Sequence, residues 1–122
     1  IYTKGSNHTT PKIGYVARAW ASFSTGGTPA MQNSDGFSSI GDITSGFNSD
    51  TTGRVRFNLS ASVGNTTYCP IVSYGDADLS NDHNDVSAAS VTNKNINYFD
   101  VQCENLDGGF IEGDQCGVVV FY

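Results

Sequence analysis

Charge is scarce in this 122-residue sequence: Asp, Glu, Lys and Arg make up 15%, against roughly a quarter in an average soluble domain. Cations are scarcer still, with 6 Lys plus Arg against 12 Asp plus Glu and a net charge of -6. Binding nucleic acid by neutralising phosphates needs a basic patch, and six scattered cations on an acidic chain do not supply one. Leu, Glu, Lys, Gln, Arg and Met together number only 15, which excludes a helical bundle, since these residues build helices. No apolar run approaches the ~20 residues of a membrane span, so membrane insertion is not expected. There are 3 cysteines and no CxxC pair, so zinc-finger and thioredoxin-like patterns are absent. The sequence opens at Ile1 rather than Met, as a processed or truncated product would.

Uncharged polar groups and β-formers fill the space. Ser 14, Thr 11, Asn 11 and Gly 14 dominate the polar set, while 10 Val and 7 Ile outnumber 3 Leu. With 38% hydrophobic and 11% aromatic residues, the chain can bury a core and need not be disordered. β-Branched and aromatic residues suit a pleated, half-buried surface. The expected fold class is therefore all-β, a small antiparallel β-sandwich of six to eight strands. One domain is expected over 13–122, preceded by a polar, Pro-punctuated arm or linker over 1–12.

Periodicity places the strands. Ile13 to Phe23 alternates, with Val16 and Trp20 on the second parity, so a strand buried on both faces for part of its length is expected. Ala30 to Gln32 reads as a short strand and Asn33-Ser34-Asp35-Gly36 as a turn. Phe37 to Ile43 is the next strand. Arg54 to Ser60 has the cleanest period of two, placing Val55, Phe57 and Leu59 inward and Arg54, Arg56 and Asn58 outward. Tyr68 to Tyr74 follows, with Pro70 arguing for an edge position or a bulge. From Gly75 to Asn97 the hydrophobic pattern disappears, and so long a polar connection is functional or mobile. Tyr98 to Glu104 and Gln115 to Tyr122 complete the set. The last strand is apolar on both parities, which suits either burial inside the sandwich or a second interface.

Chemistry-bearing groups are few. Histidine occurs only as His8, in the arm, and His83, in the long polar connection. Pairing His83 with Cys69 as base and nucleophile has no supporting motif. HExxH, GxSxG and a phosphate-cradling glycine loop are all absent, so no catalytic set is expected. Carboxylates sit beside Ser, Asn or Gly, where Asp caps turns by bonding the local backbone. Cys103 and Cys116 flank a Gly-rich stretch and would face each other across a hairpin, but buried free thiols are the plainer reading. One cysteine stays unpaired within the chain in either case. Triplets of Asn-x-Ser/Thr begin at Asn7, Asn58 and Asn65, about the number that so much Asn, Ser and Thr produces by chance, and carry no inference of glycosylation.

One local cluster stands out. Asp76-Ala77-Asp78-Leu79-Ser80-Asn81-Asp82-His83-Asn84-Asp85 begins like a calcium loop, with oxygen-bearing side chains at alternate positions. The sixth position is Asn81 rather than Gly and the twelfth Ser87 rather than Glu, so a solvated acidic loop is preferred and no cofactor is expected. Tyr is suited to recognition surfaces because its ring is apolar and its hydroxyl bonds. The expected recognition residues are therefore Tyr74, Asp76, Asp78, Asn81, Asp82, His83, Asn84 and Asp85. Tyr74 and Tyr98, flanking the long connection, are the aromatic candidates.

The order of motifs resembles a domain of tail-fibre-like proteins of tailed bacteriophages. Ala19-Trp20-Ala21-Ser22-Phe23-Ser24-Thr25-Gly26 is similar to that family's "AWVNFNGTG". Ala30-Met31-Gln32 with Phe37-Ser38-Ser39-Ile40 resembles "VAIRASYNVSSI", and Gly53 to Leu59 resembles "GDYTINF". Asn65 to Val72 is similar to "NANYAVV", Tyr98 to Asn105 to "SFRVRTYN", and Val118-Val119-Val120-Phe121 to "VSVAVFG". The resemblance spans about residues 15 to 122. It implies a β-rich domain at the end of a phage fibre or related virion appendage, extracellular and trimeric. The partners it implies are other virion proteins and a host cell-surface polysaccharide or protein. The acidic Gly75–Asn97 stretch departs from the pattern, so the resemblance assigns neither a binding site nor catalytic residues. A capsid decoration or head-fibre protein, and a secreted bacterial adhesin or carbohydrate-binding module, are the alternative expectations.

Overall fold

A computed structural model describes residues 16–25, 28–43, 53–75, 87–105, 113 and 115–121. These residues form eight strands and no helix: β1 (Ala17–Ser24), β2 (Ala30–Asp35), β3 (Phe37–Asp42), β4 (Arg54–Leu59), β5 (Cys69–Ser73), β6 (Ser87–Lys94), β7 (Tyr98–Asn105) and β8 (Cys116–Phe121). They assemble into two antiparallel four-stranded sheets, ordered β2-β1-β8-β5 and β3-β4-β7-β6. The expected all-β sandwich is the observed fold. The arm 1–12 lies outside the described residues.

Alternation builds the core. Val55, Phe57 and Leu59 of β4 are buried, as are Phe99, Val101 and Cys103 of β7. Opposite them lie Ala19, Ala21 and Phe23 of β1 and Cys116, Val118 and Val120 of β8. Phe57 is the hub: its ring centroid lies 4.8 Å from Phe23, 5.0 Å from Phe37 and 5.4 Å from Phe99. A buried aromatic with such neighbours contributes a few kcal/mol through area and ring geometry together.

Four expectations need correction. Trp20 points outward and is 47% exposed, so β1 buries one face rather than two; the small Ala19 and Ala21 occupy the inner face. Asn33-Ser34-Asp35 is strand, and only Gly36 turns. Its turn-forming side chains are exposed along a sheet edge, where nothing requires apolar residues. The stretch from Gly75 to Asn97 contains a strand, β6, an edge strand on which Ala89 and Val91 are only half-buried and the alternation is therefore faint. Finally, β7 and β8 do not form a hairpin but belong to different sheets. Pro70 does lie on an edge strand, β5, as its missing N–H requires.

Gly36 carries the chain from one sheet to the other in a single residue, with φ of +79°. A Cβ there would lie 2.5 Å from the Arg18 carbonyl oxygen and 2.7 Å from the Ala19 Cβ, so both the dihedral and the space demand glycine.

The outer faces of the two sheets differ. On the β3-β4-β7-β6 face, Arg56 binds Asp100 in a fork, Nε to Oδ1 at 2.7 Å and Nη2 to Oδ2 at 2.9 Å, and Asn93 donates to Asp100 Oδ2 at 3.2 Å. The carboxylate beside it raises the Arg56 pKa further, chiefly through these hydrogen bonds. The other face is crossed by the register row Asp35, Trp20, Val119, Ile71, with Ile71 55% exposed.

Candidate functional site

Strand directions sort the connections between two ends of the sandwich. β1, β3, β5 and β7 finish, and β2, β4, β6 and β8 start, at one end; Phe23 pairs with Cys116, Ser73 with Gly117, Asp42 with Val55 and Ser87 with Asn105. Connections 25–29, 43–53, 74–86 and 106–115 all belong to this loop-bearing end. The opposite end carries Gly36, 60–68 and 95–97, and there the chain enters β1.

The loop-bearing end is anchored where it meets the strands. Thr25, 2% exposed, donates its backbone N–H to the Gly113 carbonyl at 2.7 Å, and its Oγ1 accepts the Gly113 N–H at 2.9 Å. Gln115 N–H donates to the Gly75 carbonyl at 3.1 Å, and Cys103 N–H to the Gly53 carbonyl at 2.8 Å. The connections following β1, β5 and β7 are thereby tied to one another, and the one following β3 is tied to strand β7. Tyr74 is half-buried against the core. A Cβ on Gly113 would lie 2.9 Å from its Cε2, so the ring packs on bare backbone.

Electrostatics separate the ends further. Asp50, Asp76, Asp78, Asp82, Asp85, Asp107, Glu112 and Asp114, eight of the twelve acids, fall in the loop-end connections, which contain no Lys or Arg. The opposite connections, Gly36, 60–68 and 95–97, carry no Asp, Glu, Lys or Arg. The acid of the sequence is thus concentrated in the connections of one end.

Of the expected recognition residues, Tyr74 lies at the root of this end. Asp76, Asp78, Asn81, Asp82, His83, Asn84 and Asp85 lie outside the described residues, in the connection that Tyr74 and Gly75 introduce. Tyr98 does not share that end: β6 intervenes and returns the chain to the opposite one. Its ring is capped by the Arg56 guanidinium, 3.9 Å from the centroid, so it does not offer that face to a ligand. Cys69 is exposed on β5, also toward the opposite end.

A concavity opens on the flank between edge strands β5 and β6. It has a volume of about 490 Å³ and is lined by Pro70, Val91, Thr67, Thr92, Asn93 and Lys94, with Tyr68 and Cys69. Lys94 Nζ donates to the Tyr68 carbonyl at 3.1 Å. The Tyr68 hydroxyl is turned inward, 2.8 Å from the Asn95 carbonyl oxygen and 2.9 Å from that of Tyr98. Sequence reasoning missed this flank because β6 was not legible. Among the described residues no group of three or more His, Cys, Asp or Glu is placed to hold a metal. No family model, curated protein or solved structure matches the chain.

Proposed function

We propose that this chain is a non-enzymatic virion protein, the distal domain of a phage tail fibre that contributes to host-surface attachment. The observation that carries the reading is the separation of the two ends. The connections at the end where the chain enters the sandwich carry no Asp, Glu, Lys or Arg, while eight of the twelve acids fall in the connections of the other. A domain mounted through its entering strand presents the loop-bearing end outward, where exposed loops on a rigid scaffold make contacts. The motifs that resemble the phage family fall on β1 to β5, β7 and β8, whereas the acidic connection 74–86 departs from them. A shared framework with a divergent tip suits a protein whose receptor varies.

Attachment of this kind works by number. Several weak contacts held together raise avidity without any single strong one. The row Trp20, Val119, Ile71 supports a homotrimer: it is an apolar stripe on the outside of a chain of net charge -6, and packing on further copies would cover it while keeping the acidic connections at the rim.

Virions in which Asp76, Asp78, Asp82 and Asp85 are replaced by Ala test the reading. Adsorption to host cells is expected to fall by about tenfold or more as avidity is lost; unchanged adsorption removes the attachment role from this end. Antibody labelling on intact particles distinguishes a tail fibre from a capsid decoration protein. The trimer is tested by mass in solution, and a stable monomer overturns it.

A further inference from the structure

Two thiols that sequence spacing offers as hairpin neighbours meet in another way. Cys103 lies on β7 of one sheet and Cys116 on β8 of the other, both side chains point into the shared core, and they are 0% and 2% exposed. Both lie near the ends of their strands that meet the loop-bearing end, in the same buried cluster, and the Cys116 thiol pushes the Cys103 pKa up. Cys116 Sγ also lies 3.8 Å from the Gly75 carbonyl oxygen, and a Cβ on Gly113 would approach it to 2.5 Å. Gly113 thus leaves the sulfur its space. Cys69 stands apart, exposed on edge strand β5.

We propose that Cys103 and Cys116 form a disulfide that crosslinks the two sheets at the root of the loop-bearing end, leaving Cys69 as the single free thiol. Forming the disulfide brings the two sulfurs to a bond of about 2.05 Å. Inter-sheet disulfides staple other small sandwiches in the same sense, by joining their two layers through the core. The bond closes the β7–β8 connection, one of those the loop-bearing end displays.

The chemistry balances with a low-molecular-weight disulfide such as oxidised glutathione as oxidant. One cysteine thiolate attacks a sulfur of the oxidant and releases one small thiol, giving a mixed disulfide. The second thiolate attacks the protein-bound sulfur and releases the other small thiol. The protein loses two protons and two electrons, and the oxidant is reduced to two thiols. Burial decides the timing. In the closed sandwich the Cys103 thiol is pushed above the ordinary thiol range by its hydrogen bond with Cys116 and by desolvation, and the thiol form is a poor nucleophile. The bond therefore forms while the sheets are still coming together, and once enclosed it resists reductant until the fold opens.

The test is refolding of the full chain in a mixed reduced and oxidised glutathione buffer, followed by denaturation in iodoacetamide and intact-mass measurement. One alkylated cysteine is expected, mapped to Cys69, with a peptide pair joined through Cys103 and Cys116. Three alkylated cysteines, or a bridge that includes Cys69, overturn the proposal. The Cys69→Ser variant removes the competing thiol without touching the core and should form the same bridge. Its oxidised form should melt about 10 °C above the same protein reduced in denaturant and refolded in excess reductant, as closure of a loop this short implies. Equal melting temperatures overturn the proposal as well.

Discussion

The two ends of the sandwich are built by different means. At the short-turn end, backbone groups bond from one connection to the next: Leu59 N–H bonds the Asn97 carbonyl at 2.8 Å, Ser60 N–H that of Gly36 at 2.9 Å, Val63 N–H that of Ile96 at 3.0 Å and Asn95 N–H that of Tyr98 at 2.8 Å. The buried Tyr68 hydroxyl and the Lys94 ammonium add side-chain bonds to the same backbone. At the loop-bearing end, the described hydrogen bonds tie the roots of connections that carry eight of the twelve acids. On the proposed reading, stability and recognition fall at opposite ends of the same strands, and the division can be probed residue by residue.

The largest effect is expected at Gly36. Gly36→Ala forces a Cβ onto the Arg18 carbonyl and the Ala19 side chain at a φ of +79°. Strain and clash add, and a loss of about 3 kcal/mol or more is expected, read as a lower urea midpoint with the slope unchanged. A loss below about 1 kcal/mol would show that the corner relaxes and that the short-turn end is not rigid.

Tyr68→Phe comes next. It removes the hydroxyl from two buried carbonyl groups, leaving an acceptor unsatisfied, and should cost about 2 kcal/mol. The same hydroxyl makes a pH signature. Burial, the largest cause, pushes the Tyr68 pKa up from 10.0 to about 12. Below pH 10 both folded and unfolded chains keep the proton; between pH 10 and about 12 the unfolded chain releases it while the folded one does not. Stability therefore falls with rising pH across that window. Urea midpoints at pH 9, 10 and 11 should decline less steeply in Tyr68→Phe than in the parent, and identical slopes would show that this hydroxyl is not the group responsible.

How much of this was legible beforehand depends on burial. β4 was readable because Val55, Phe57 and Leu59 are all driven into the core, so the period of two is imprinted on the sequence. β6 was not, because an edge strand with half-buried Ala89 and Val91 meets little selection for apolar alternation. The end of β2 failed for the same reason, its Asn33, Ser34 and Asp35 being exposed. The acidic connection was visible as composition. That it shares an end with 43–53 and 106–115, and that Tyr98 does not, follows only from strand direction and pairing, which no local pattern encodes. Cys103 and Cys116 divide in the same way: the buried free thiols that composition suggested are present, while the hairpin that spacing suggested is not, since β7 and β8 lie in different sheets.

A smaller loss is expected at the roots of the loop-bearing end. Thr25→Val keeps shape and burial but removes the acceptor of the Gly113 N–H, and a cost of about 1–2 kcal/mol is expected. Hydrogen exchange should show the effect locally, as faster exchange of the Gly113 and Gln115 amides with the β4 amides unchanged. Uniform acceleration would mean that the two ends do not open separately, and the contrast between them would lose its energetic basis.

The smallest effect on stability, and the most telling for function, belongs to the acidic connection. Replacing Asp76, Asp78, Asp82 and Asp85 together by Ala touches none of the described core contacts or root hydrogen bonds. Surface substitutions of this kind usually fall within about 0.5 kcal/mol each, and here the sign should be mildly stabilising, because four like charges are removed from an end with no Lys or Arg in its connections. That gain should shrink as salt rises and the Debye length falls from about 10 Å at 0.1 M to about 3 Å at 1 M. Adsorption to host cells should drop in the same variant whose melting temperature holds or rises. A variant that loses both together would instead tie the acids to the fold, and the loop-bearing end would have to be counted as part of what holds the sandwich closed.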